Sequence, residues 1–356
     1  MTAVALPQVG AASPSPFKVG RTFVGPLFDY MLIGGGLSLL VLAALPFGPA
    51  PVRAYLDSSL WTMMLLCNSA HFAGSTIRLY TKEGGFRDLP FVTMGLPLVT
   101  LGVIAVGLAF PVAVGAGLIA LRFFWSPFHY ASQSFGLSMM YCYRSDSALS
   151  LADRRLLRGA CLLPFVHTFL GGIGAGLVPW PPLFSPDFTS LRLGTMAVLA
   201  VLSVLAPLAF FARQQWGAGP RLPLIVLVLL VSNSIWLVQA GYTGLLGLNL
   251  VAIFHGVQYL AILAIFYVRE QAQAGVARPW WVHTLIFYAL CLGLGYVLFH
   301  VLPLGVATLG GVTYTEAILV TNAVVVIHHF FVDGFIWKLR KDRNYKVVAD
   351  GAAAPA

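Results

Sequence analysis

The chain has 356 residues, of which 59% are hydrophobic and only 9% charged, with a formal net charge of +9. Soluble domains carry about 25% charged residues, so a chain of this size and composition cannot cover a water-facing surface, and a soluble enzyme is excluded. The basic balance is not a nucleic-acid signal either. No Lys/Arg stripe with interleaved aromatics occurs, and the basic residues fall between apolar runs, as they do in membrane proteins.

Residues 1–27 are rich in Pro, Ala and Ser and carry Lys18 and Arg21. They contain no apolar core of secretory type, and read as a cytoplasmic tail. Ten apolar runs follow that are long enough to cross a hydrocarbon core: about 28–47, 58–78, 90–110, 113–142, 156–178, 191–212, 222–241, 244–268, 280–302 and 313–338. The third and fourth are separated only by Pro111 and a Gly-rich stretch, and Pro127 sits near the middle of the fourth. With the N-terminus in the cytoplasm, 18 of the 21 basic residues fall on the cytoplasmic side, leaving Arg53, Arg122 and Arg192 elsewhere. This asymmetry predicts ten spans with both termini cytoplasmic, in a bacterial-type inner membrane. The expected class is therefore all-α: one polytopic helical bundle over 28–338, with halves 28–142 and 222–338. A basic tail, 339–356, ends disordered. Trp61, Trp180, Trp216, Trp280, Trp281 and Trp337 lie near span ends, as in an interfacial belt. Cys67, Cys142, Cys161 and Cys291 form no CxxC pair and read as small buried hydrophobes.

Ionisable groups inside a bilayer are costly and mark sites. Of the eight histidines, His283 and His300 lie near the ends of the ninth run and read as interfacial. His167, just past Pro164, reads equally well as a ligand or a packing residue. The other five stand in four short segments: NSAHFAGS (His71), SPFHYASQ (His129), AIFHGVQY (His255) and VIHHFFVDG (His328, His329). These belong to the second, fourth, eighth and tenth runs, which all cross in the same direction. Counted from the basic residue that ends each run, the histidines lie roughly 10–22 Å deep at 1.5 Å per residue, so one slab of membrane accommodates all four segments.

Helical spacing supplies companions. Asn68 and His71 are i,i+3, His129 and Gln133 i,i+4, His255 and Gln258 i,i+3, and His329 and Asp333 i,i+4. His328 and His329 diverge by about 100°, so only one of them faces a common site squarely. Imidazoles with a carboxylate and amide groups behind them are what a buried metal site needs. The expected metal ligands are His71, His129, His255, His328 and His329. Gln133, Gln258 and Asp333 are the expected catalytic groups, Asp333 as a further ligand or an orienter of His329. The metal is Fe, with Cu or Zn as alternatives. Asp333 also has Lys338 and Arg340 within reach, and Arg122 has Glu316 as a counter-charge. Tyr130 and Tyr259 read as packing residues.

The HxxxH and HxxHH boxes of membrane di-iron enzymes are absent. One histidine on each of several helices loosely resembles the four-histidine iron arrangement of membrane carotenoid dioxygenases, although the His-Gly-x-x-Asp-His stretch of that family is missing. The leading expectation is a non-haem iron oxidoreductase acting on a lipophilic substrate that enters from surrounding lipid. The alternatives are a haem-binding electron-transfer subunit, since facing histidines also hold haem, and a transporter or assembly protein with membrane-protein partners. Walker, GxSxG and Rossmann motifs are not present in convincing context.

Overall fold

In the computed structural model, residues 17–47, 58–82, 84–173, 175–177, 184–217 and 219–337 are described. Arg53, Trp180 and the basic residues after Trp337, including Lys338 and Arg340, lie outside them. The described chain is all-helical. Its one β-type pairing is an isolated bridge between Lys18 and Pro223.

Among the described residues, seven helices are long and apolar enough to cross a membrane. They are α4 (Phe91–Ala109), α5 (Pro111–Arg144), α7 (Pro186–Trp216), α8 (Leu224–Thr243), α9 (Leu245–Gln273), α10 (Trp280–Gly310) and α11 (Tyr314–Ile336). The protein is therefore a multi-pass membrane protein. The first expected run is not one straight helix but a pair, α1 (Pro26–Ile33) and α2 (Gly36–Ala44), bent by 59°. The break is built by Gly35, whose φ of +84° is a left-handed conformation that side-chain-bearing residues rarely adopt. A Cβ there would also stand 2.7 Å from the Ser232 hydroxyl of α8.

The second and fifth expected runs form helices that are not among the seven: α3 (58–81) and α6 (Leu151–Leu170). The reason is polarity. Asn68, Ser69, His71 and Ser75 interrupt the apolar stretch of α3. The cap of α6 is Ser150, whose hydroxyl accepts the Asp153 backbone N–H, so the helix begins five residues earlier than the hydropathy alone suggested. Arg154 and Arg155 become part of it instead of a preceding loop.

Several helices contain wider π-helical turns, among them Met64–Ser69 in α3 and Asp29–Ile33 in α1. Such turns break the regular ladder and recur at functional sites. The α3 turn directly precedes His71. Helix α3 packs on α9, α10 and α11, α10 packs on α9 and α11, α5 packs against α6, α8 and α11, and α4 lies on α11. Little backbone contact joins α5 to α9, and a cavity lies between them, closed on a third side by α11.

Arg78 belongs to the cytoplasmic charges by sequence, yet it is fully buried. It pairs with Glu270 at 2.9 Å and lies against the Phe266 and Trp337 rings, 4.6 and 4.4 Å from their centroids. This pair ties α3 to α9 below the histidines. A buried guanidinium is tolerable only with such charge and ring partners.

Candidate metal centre

His71 on α3, His129 on α5, His255 on α9 and His329 on α11 form a closed ring. His71 is 5.0 Å from both His255 and His329, and His129 is 5.1 Å from both, centroid to centroid. Neighbouring rings stand edge to face, at 72–87°. Four centroids at these spacings have a common centre about 3.1 Å away if tetrahedral and about 3.6 Å if planar. An imidazole-bound metal lies about 3.2 Å from its ring centroid, given a metal–nitrogen bond of ~2.1 Å. The centroid spacing thus suits one ion, although the donor atoms that converge among the described residues are those of His129, His329 and Asp333, without His71 and His255.

Close helix approach makes this ring possible. A Cβ on Gly256, next to His255, would lie 2.7 Å from the Cys67 carbonyl oxygen and 3.3 Å from the Asn68 nitrogen. Only a glycine lets α9 sit directly on the π-turn of α3, and this sets His255 against His71.

Both ring nitrogens of His71 and of His255, and Nε2 of His129 and His329, are buried without a hydrogen-bond partner. The fourth ring is better anchored: Nδ1 of His329 is 2.7 Å from the Ser75 hydroxyl, which itself donates to the Phe72 carbonyl. The hydroxyl therefore accepts Nδ1–H, and the tautomer so assigned leaves the Nε2 lone pair free beside Asp333.

Asp333 lies at the edge of the ring. Its Oδ2 is 3.4 Å from Nε2 of His329 and 3.6 Å from Nε2 of His129. His129, His329 and Asp333 offer donor atoms that all lie within 4.8 Å of one another. Two histidines and one carboxylate are a familiar iron-binding set. Oδ1 of Asp333 accepts from the Tyr259 hydroxyl at 2.5 Å, and that hydroxyl accepts from the Trp337 indole at 3.0 Å. The carboxylate is thus fixed by α9 and by the end of α11.

The remaining expected residues fall as follows. Gln133 donates to Gln258 at 2.9 Å, and Gln258 donates to the Ile33 carbonyl at 2.6 Å. That carbonyl ends the α1 half of the broken helix, where no further turn can satisfy it. His328 points away from the ring: its Nδ1 is 2.7 Å from the Thr100 hydroxyl on α4. His167 is buried beside Tyr242, ring centroids 4.7 Å apart, remote in sequence and contact from the cluster. His300 stacks on Tyr296, and His283 approaches the Val276 carbonyl. Glu316 is not paired with Arg122; it closes the capping box with Thr313 that starts α11.

Sequence reasoning missed Ser75 and Tyr259 as site residues. Both stand one helical turn after a histidine, at i+4 from His71 and His255, so the same spacing rule identifies them. Trp337 read as a belt residue, but its indole N–H completes the Asp333 network.

A cavity of about 290 Å³ adjoins the ring, lined on α5, α9 and α11 by apolar side chains together with His129, Gln133, Tyr259 and Asp333. His129 and Asp333 are 8% and 7% exposed, against 0–1% for His71, His255 and His329. Access to the ring therefore runs through the cavity.

Fold and site together define a polytopic helical membrane protein with a buried four-histidine, one-carboxylate cluster. The chain matches no protein-family model, and comparison with curated proteins and with solved structures gives no match.

Proposed function

We propose that this protein is a membrane-embedded metalloprotein, a non-haem iron oxidoreductase acting on a lipophilic substrate. The observation that carries this reading is the closed ring of four imidazoles at 5.0–5.1 Å, each with at least one buried nitrogen left without a partner, around the converging donor atoms of His129, His329 and Asp333. His71, His129, His255 and His329 would hold the metal, and Asp333 would serve as a further ligand or fix His129 and His329. Bound there, the metal supplies Lewis-acid or redox activation at an open position. Ser75 holds the His329 tautomer, and Tyr259 with Trp337 orients the carboxylate. Gln133 reaches the cavity and positions a small polar reactant beside His129. The apolar walls exclude water from the reacting bonds.

The rings leave no porphyrin-sized gap between them, which favours a single ion over the haem alternative. Ten spans, with α3 and α6 crossing the membrane in the company of their neighbours and both termini cytoplasmic, agree with the charge distribution. A bacterial-type inner membrane is the matching location.

The test is elemental analysis with an absorption spectrum on detergent-purified protein. About one iron per chain without a Soret band is expected, and this metal should be lost from both His71→Ala and His255→Ala. Full metal retention in both variants would sink the proposal. A Soret band would move the protein to electron transfer.

A further inference from the structure

The cavity beside the histidine ring is a slot, not a pocket. Along α5 it is lined from Trp125 through His129, Gln133 and Gly136 to Met140. At 1.5 Å per residue these positions span about 22 Å along the helix axis. That is the length of an extended chain of roughly 16–18 carbons with bonds of about 1.5 Å. The long axis follows α5, and apart from the groups at the ring and Ser132 the walls are aromatic or aliphatic.

The ring sits off-centre in this slot. His129 is four residues from the Trp125 end, about 6 Å, and eleven from Met140, about 16 Å. Trp125 bounds the short arm, packed on Phe330 and Phe331 with centroids 5.6 and 5.4 Å away. Two glycines line the long arm: Gly136 on α5, two turns beyond His129, and Gly334 on α11, adjacent to Asp333. A Cβ at either one would meet nothing within 4 Å. No packing requirement therefore explains a glycine at either position, unlike Gly256. Gly334 is also exposed at the surface of the bundle, so the wall is open there toward the lipid side.

We propose that the slot seats a long, unbranched apolar substrate chain with its reacting carbons near one end, and that Gly136 and Gly334 determine how long a chain is accepted. This rests on the functional reading above and names its substrate class. A side chain on either glycine would project into the long arm and shorten it. Short chains would still reach His129 and Asp333, and long ones would not.

The probes are straight-chain alcohols of 8 and 16 carbons carrying a terminal photoreactive diazirine. They are applied to full-length protein in phospholipid nanodiscs, with and without added iron, and labelled peptides are mapped by mass spectrometry. In the wild type both probes should label the 125–144 and 330–337 segments, in the absence of metal as well. Gly136→Leu and Gly334→Leu should reduce labelling by the 16-carbon probe at least tenfold and leave the 8-carbon probe within twofold. Gly136→Ala should keep most of both. Thermal unfolding checks that the Leu variants fold; if one does not, the Val variant takes its place. Equal labelling of wild type and Leu variants would overturn the proposal. So would loss of slot labelling to excess bulk phospholipid, which would make the slot a lipid-facing groove only. Because labelling does not need the metal, iron binding with no chain-length effect would fail the slot alone. A chain-length effect with no metal would fail the metalloprotein reading alone.

Discussion

Replacing Gly256 with Ala should disturb the centre without touching a histidine. The new methyl would stand 2.7 Å from the Cys67 oxygen and 2.9 Å from its carbonyl carbon, where ordinary contact begins at 3.4 Å. Relief requires α9 and the α3 π-turn to part by about 0.7 Å, and the obstacle is backbone, so no rotamer change helps. Overpacking of this kind costs about 1–3 kcal/mol. The same displacement opens the His71–His255 edge, now 5.0 Å. Misplacing ligands by supporting residues commonly costs about 10–100-fold in metal affinity. Gly293→Ala is the control, since its Cβ meets nothing within 4 Å. The assay is iron affinity by chelator competition, alongside the thermal unfolding midpoint in one detergent. Gly256→Ala should lose at least tenfold in affinity and several degrees in midpoint, and Gly293→Ala should lose neither. Unchanged affinity and midpoint in Gly256→Ala would refute the claim that backbone approach at this glycine builds the ring.

His328→Ala should keep its metal while His329→Ala loses it, because His328 bonds Thr100 and not the ring; the loss of that bond costs about 1 kcal/mol of stability. Metal content of the two purified variants decides this. Tyr259→Phe removes the donor to Asp333 and the acceptor of the Trp337 N–H, so metal affinity should fall about tenfold by chelator competition; an unchanged value would detach Asp333 from the centre. Reporter fusions after residue 356 and at 145–150 should both report the cytoplasm; opposite sides would overturn the ten-span arrangement.

The all-helical class was legible because hydropathy and charge scarcity are long-range averages that survive local error. The histidine pattern was legible for a related reason: lone polar residues stand out in apolar runs, and i,i+4 spacing carries Asp333 to His329 without tertiary knowledge. The choice between His328 and His329 was not legible. Their divergence is fixed by the helix, but which one faces α3 depends on the rotation of α11. That rotation is set by contacts with Thr100 on one side and Ser75 on the other. The break in the first span was hidden as well. Gly34, Gly35 and Gly36 suit close packing as well as they suit a kink, and the positive φ of Gly35 answers to Ser232 and Trp236, about 200 residues away. Arg78 looked like a surface charge because its burial depends on Glu270, Phe266 and Trp337, none of them close to it in sequence.

The energetics of the ring bear on the proposed metal site. A neutral imidazole carries one donor and one acceptor, and at His71 and His255 neither nitrogen has a partner. Each buried polar atom left in that condition costs about 1–3 kcal/mol. Across His71, His129, His255 and His329 the total approaches the whole stability of a typical folded domain, about 5–15 kcal/mol. His167, away from the ring, shares this condition singly; what sets the ring apart is that four such histidines stand side by side. His328 and Thr100 show the local remedy, a hydroxyl one helix away that already donates to its own backbone and accepts from the ring. His329 uses the same device through Ser75, but only on its outer nitrogen. One nitrogen of His329 is thus provided for, while its Nε2, Nε2 of His129 and both nitrogens of His71 and His255 are not. A shared electrophile, as proposed above, would satisfy several of these lone pairs at once, which no arrangement of hydroxyls on four separate helices would do.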